Sequence, residues 1–137
     1  MSVGYSGTPL VKKLGIKTDS RVLFINEPIN YFTLLGELPT VKRVSRDSIS
    51  NDIDFVHVFS KSQEELFPLL NEFKDRINKS GVIWVSWPKK ASKIMTDLSD
   101  DNIRRYALSI DLVDVKVCAV DEVWSGLKLV IPLKNRN

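Results

Sequence analysis

Residues 21–31 read RVLFINEPINY, and the reading of this stretch decides the fold. Arg21 to Asn26 is a nearly continuous apolar run, which suits a strand covered on both faces, as in a parallel sheet. The turn that follows, Asn26-Glu27-Pro28-Ile29-Asn30, leads into a short helical pattern from Tyr31 to Leu35. Working outward, Asp54 to Phe59 and Val82 to Ser86 repeat the buried-strand pattern. Thr40 to Val44 is a weaker strand between them.

Helices separate these strands. Upstream, Thr8 reads as an N-cap, Pro9 as the first helical residue and Gly15 as the stop, a helix of under two turns. Ser62 and Glu65 form a capping-box pattern ahead of Leu66, Leu69, Leu70, Phe73 and Ile77, which recur at helical spacing. Pro68 falls inside this pattern and predicts a kink or a restart. Ser99 caps a further helix whose first turn carries Asp100 and Asp101, acids that favour its positive end. Val113 to Val120 and Trp124 to Ile131 are two strands joined by a turn at Asp121-Glu122, hence antiparallel. Val113, Val115, Val117 and Ala119 alternate with Asp114 and Lys116, whereas Leu127 to Ile131 is almost unbroken apolar sequence. The final strand is therefore expected inside the sheet and the Val113 strand at its charged edge.

The pattern predicts one α/β domain over residues 1–137: a three-layer Rossmann-like sandwich around a mostly parallel sheet of about six strands, ending in an antiparallel hairpin. The 137 residues suffice for a core without disulfides or metals. The net charge of +3 is too weak to argue for nucleic acid. Lys12, Lys13, Lys17, Lys89, Lys90 and Lys93 form two short clusters, but the aromatic interleaving of an RNA-binding sheet is absent. No run reaches the ~18 apolar residues of a membrane helix, and MSVGYSGTPLVKK has no apolar core of a signal peptide. With a single cysteine, Cys118, these features point to the cytoplasm. P-loop, HExxH, EF-hand and GxSxG patterns are missing, and no cluster suggests a metal. Apolar neighbours predict a buried, hydrogen-bonded structural role for His57, an inert buried thiol for Cys118 and core packing for Trp84.

Three segments, TPLVKKLGIK (8–17), WVSWPKKAS (84–92) and LVDVKVCAVDEVWSGLKLV (112–130), resemble the bacterial family called domain of unknown function 3052. The layout is similar to the S-adenosylmethionine-dependent methyltransferases, whose terminal hairpin inserts the last strand between the fifth and sixth. LGIKTDSRVLFIN resembles the approach to their first strand. That resemblance implies an acidic residue and a glycine-rich turn after the strand, because glycine lets the backbone approach the cofactor. Here no glycine occurs until Gly36, Pro28 lacks an N–H and Ile29 is β-branched. Glu27 stands where the acidic residue is implied, and the second, ribose-binding acid falls near Asp47. Only nine residues separate Val44 from Asp54. Nine extended residues span ~30 Å, so the usual third strand and its helix are expected to be missing, which thins the side that holds adenine.

Ligands of open α/β sheets sit at the carboxyl ends of the strands. Those ends name Asn26 and Glu27, Ser60 and Lys61, and Trp87, Lys89 and Lys90, with Asp121, Glu122 and Trp124 arriving from the hairpin. A shallow site there, with ammonium groups for charge and tryptophans for a flat wall, suits an anionic or aromatic ligand. The expected function is a methyltransferase-like binding or interaction module without a cofactor and without assigned catalysis. The alternative is a small transferase or an anion-binding protein using the same strand ends. The partner is an anionic small molecule or another protein; nucleic acid and membrane are not expected.

Overall fold

The computed structural model describes residues 8–47 and 51–136. Of residues 1–13, where no apolar core of a signal peptide is expected, the first seven lie outside them. The elements run α1 (Leu10–Leu14), β1 (Arg21–Ile25), α2 (Tyr31–Leu35), β2 (Lys42–Arg43), β3 (Ile53–Phe59), α3 (Gln63–Phe73), β4 (Ile77–Pro88), α4 (Asp100–Ser109), β5 (Val113–Ala119) and β6 (Trp124–Val130), with 3-10 turns at Lys90–Ser92 and Leu133–Asn135. The six strands form one sheet in the order β2-β1-β3-β4-β6-β5. β2, β1, β3 and β4 are parallel, and β6 is antiparallel to both neighbours. The final strand is thus inside and β5 at the edge, as the polar alternation of β5 predicts. No described strand lies beyond β2, in keeping with the short connection from β2 to β3.

Strand parity sorts the core into two faces. Leu23, Ile25, Val56, Val58, Ile83, Val85, Leu127 and Leu129 point to one side, where α3 and α4 cover them with Leu66, Leu70, Phe73, Ile103 and Ala107. Val22, Phe24, Phe55, Phe59 and Trp84 point to the other, under Leu10 and Leu14 of α1 and Tyr31 and Leu35 of α2. Continuous apolar strands need covering on both sides, and the helices supply it.

Several local expectations change. Pro9, not Thr8, precedes α1, and its carbonyl accepts from the amides of Lys12 and Lys13. α3 runs unbroken through Pro68. Pro68 and Glu64, whose carbonyl loses its partner, are both exposed, so the carbonyl is not left in the core without a bond. Ser62 Oγ accepts from the Glu65 amide, but the Glu65 carboxylate turns to Ser60 Oγ, so only half a capping box forms. Ser99 and Asn102 do complete one at α4. Ile77 belongs to β4, not to the helical stripe. Between Ile53↔Ile77 and Phe55↔Val82 the register shifts, and β4 bulges. Gly81 sits in this bulge, where an added Cβ would stand 2.8 Å from the Ile53 carbonyl oxygen and 2.9 Å from Ile77 Cβ. The short approach, not a positive φ, demands glycine there.

Candidate functional site

The sheet changes direction between β1 and β3: from β1 the chain builds towards β2, and from β3 towards β4. Ligands of open α/β folds favour the crevice at such a switch point. Here Asn26 ends β1 with φ +58, the left-handed region that asparagine tolerates better than most non-glycine residues. The turn is made without glycine, and the side chain is retained. Asn26 Nδ2 donates to the Phe59 carbonyl at 3.2 Å, bridging the mouth of the crevice. Beyond it the Tyr31 amide closes a turn on the Pro28 carbonyl at 2.9 Å, and the Ile29 side chain stands fully in solvent. Glu27 pairs with Arg43 at 2.8 Å, whose guanidinium lies over the rings of Phe24 and Phe32. Asp47 is exposed on the turn after β2, with its amide bonded to Ser45 Oγ.

A cleft of about 560 Å³ opens beside Asn26, lined by Pro28, Phe59, Ser60, Lys61, Ser62, Glu65 and Trp124. Four of the ten strand-end residues named from sequence, Asn26, Ser60, Lys61 and Trp124, come together here. Trp124 is half-buried and meets the Phe59 ring edge-on at 5.1 Å, giving the cleft an aromatic wall. Lys61 brings the cation, exposed on the loop into α3. Ser60 Oγ donates to Glu65 Oε1 at 2.6 Å, so the hydroxyl is held by the protein.

The other six residues stand elsewhere. Trp87 is core, 7% exposed, on the α3/α4 face of the sheet. Trp87 therefore does not supply the flat wall expected of it at the strand ends: parity sends residue 87 to the same side as Val85, under a helix. Glu27 is engaged by Arg43. Lys89 is half-buried and Lys90 exposed, and neither lines the cleft. Asp121 Oδ1 accepts from the amides of Val123 and Trp124, each at 2.8 Å, which shapes the hairpin turn. Glu122 is exposed beside it.

Under the cleft, the sequence named a buried, hydrogen-bonded His57 but not its partners Tyr31 and Ser86. His57, fully buried, joins Tyr31 Oη on Nδ1 and Ser86 Oγ on Nε2, both at 2.8 Å. Its ring stacks on Phe59 at 4.3 Å. Burial drives the His57 pKa down to about 3, so the ring is neutral, with one nitrogen donating and the other accepting. Burial likewise pushes the Tyr31 phenol upward. Tyr31, His57 and Ser86 are all 0% exposed, so the relay is structural. His57 therefore has the predicted role, and Trp84 is core with Nε1 donating to the Leu14 carbonyl at 2.8 Å. Cys118 differs: it is half-buried on the edge strand, and burial raises its pKa despite nearby Lys13, Lys116 and Lys89. Among the described residues no group of acids, histidine and cysteine could hold a metal, and no helix is long and apolar enough to cross a membrane.

No family model and no curated protein matches the chain. Solved structures do. A SAM-dependent methyltransferase from Aquifex aeolicus superposes with a TM-score of 0.62 at 15% identity, over 90% of this chain and 88% of that one. Magnesium protoporphyrin IX methyltransferase from Synechocystis, with bound SAM, gives 0.59 at 10% identity over 90% and 74%. A TehB-like SAM-dependent methyltransferase from Corynebacterium glutamicum gives 0.56 at 10% identity over 90% and 85%. At these identities the likeness concerns the fold alone: the chain has the Rossmann-like fold of the SAM-dependent methyltransferases.

Proposed function

We propose that this domain is a non-catalytic binding module: a methyltransferase fold that does not hold S-adenosylmethionine in the manner of its structural neighbours, and whose strand-end cleft takes a small aromatic anion. The observation that carries the reading is the β1–α2 turn. Asn26 makes the turn with its side chain across the switch point, and Glu27, the acid in position to serve a cofactor, is paired with Arg43. A cofactor seated there meets the Asn26 side chain and a carboxylate already paired with Arg43. The cleft next to it offers what an aromatic carboxylate needs, the half-buried Trp124 ring for aromatic contact and the Lys61 ammonium for charge. The likeness of residues 8–17, 84–92 and 112–130 to domain of unknown function 3052 belongs to this reading, as does a cytoplasmic location.

A second reading, a small transferase on the same cleft, is favoured by one observation: the neighbours include an enzyme with SAM bound on this fold. A thermal-shift screen separates the two. Aromatic carboxylates should stabilise the wild type, with the gain lost in Lys61→Ala and in Trp124→Ala. Stabilisation by S-adenosylmethionine, with methyl transfer to any acceptor, establishes the transferase instead.

A further inference from the structure

The opposite end of the sheet carries a second cleft, of about 450 Å³, at the amino ends of β1, β3 and β4. The loop from α1 to β1 forms one wall with Gly15, Lys17, Thr18 and Ser20; Ser80 of the β4 bulge and Lys128 of β6 form the other. Gly15, in the left-handed conformation at φ +79, ends α1 and swings this loop over the sheet.

The charge arrangement here is unusual. Lys128 lies on an interior strand, half-buried, directly opposite Lys116 of β5 in the antiparallel register. Like charges directly across a sheet are destabilising. Lys17 adds a third ammonium from the loop. The Lys128 pKa is lowered, first by burial and then by Lys116 and Lys17, with no carboxylate in opposition. Among the described residues none of these three lysines forms an ion pair. Lys116 Nζ reaches only the Lys13 carbonyl, at 3.4 Å. Two acids also line the cleft. Asp54 is tied at both oxygens, to the Arg21 amide and to Asn78 Nδ2, and Asp19 lies on the exposed loop. Both donors to Asp54 are neutral, so the cleft holds two carboxylates beside the Lys17 and Lys128 ammonium groups, and the excess positive charge comes from Lys116 facing Lys128 at its β6 side.

We propose that this cleft binds a small phosphate-bearing anion, with the Lys17 and Lys128 ammonium groups supplying charge and the hydroxyls of Thr18, Ser20 and Ser80 supplying hydrogen bonds. An anion between the lysines converts their repulsion into attraction, and the walls of the cleft keep water from screening it fully. A site enclosed on two sides suits a compact ligand such as inorganic pyrophosphate better than an extended polymer. The site is independent of the strand-end cleft, at the other end of the same strands.

Calorimetric titration with pyrophosphate, at an ionic strength held constant with sodium chloride, tests this. The wild type should bind saturably with a sub-millimolar dissociation constant, and Lys128→Gln should weaken binding at least tenfold. Lys17→Gln, at an exposed loop position, should give a similar loss with the fold untouched. Without anion, Lys128→Gln should melt no lower than the wild type, because a repulsive neighbour has been removed. Equal binding by both variants and the wild type, or no saturable binding, overturns the proposal. So does affinity for a single-stranded oligonucleotide but not for pyrophosphate, which would mark the lysines as a polymer-binding surface.

Discussion

The two ends of the sheet treat their polar groups in opposite ways. At the carboxyl end nearly every polar group near the switch point is engaged by another: Asn26 with the Phe59 carbonyl, Glu27 with Arg43, Ser60 with Glu65, Asp121 with two amides. At the amino end Lys17, Lys116 and Lys128 crowd together, and among the described residues none of them forms an ion pair. Ligands of such folds favour the carboxyl end, yet most polar groups there, Lys61 apart, are paired with one another, while the three lysines at the other end are not. A buried polar group costs least when paired, and unopposed charge is retained against its cost where a ligand answers it. Sharing a fold with the SAM-dependent methyltransferases therefore locates the crevice without establishing what occupies it.

The sharpest way to break the comparison is to cut the network beneath the carboxyl end. His57→Ala leaves the Tyr31 and Ser86 hydroxyls without their buried partner and opens a cavity, for an expected loss of about 3–5 kcal/mol in urea unfolding. The same histidine sets an acid limit. Its folded pKa of about 3 lies below the unfolded 6.5, so between these values the unfolded chain binds the extra proton. Stability is complete above pH 6.5 and falls as pH drops towards 3, by up to ~1.4 kcal/mol per pH unit from this group. His57→Gln should flatten that part of the profile; an unchanged acid slope means that other groups produce it.

The amino end is sharpened by Gly81→Ala. A methyl group 2.8 Å from a backbone oxygen forces the bulge to shift, at an expected cost of roughly 1–3 kcal/mol. Because Ser80 lines the same cleft, pyrophosphate affinity should fall along with stability. Smallest of all is the paired change Lys89→Ala and Lys90→Ala. Neither lysine lines the strand-end cleft, so stability should move by about 0.5 kcal/mol or less, and ligand binding there should be unaffected. A tenfold loss of binding would return both lysines to the site.

Much of the fold was legible because strand burial writes itself as apolar runs and the hairpin as alternation. The inside position of β6 followed from Leu127 to Ile131, and the shortened β2–β3 connection from a count of residues. What stayed hidden depends on register and on which face a helix covers. Trp87 and Trp124 read alike, yet parity buries the first under a helix and leaves the second at the cleft. Tyr31, His57 and Ser86 come from α2, β3 and β4 and meet only through the pairing of Phe59 with Ser86 and the fall of α2 on that face. The opposition of Lys116 and Lys128 is set by a register shift between Asp114 and Lys116 that no periodicity announces. At the strand ends, the absence of glycine was plain; that Asn26 would take the left-handed turn itself and bridge to Phe59 was not.

The central claim is that the fold persists while its cofactor turn does not, and one titration tests it most directly. S-adenosylmethionine added to the protein in a calorimeter should give no saturable heat up to ~1 mM, a limit equivalent to about 4 kcal/mol of binding free energy. A micromolar dissociation constant, weakened by substitution of Glu27, would contradict the account.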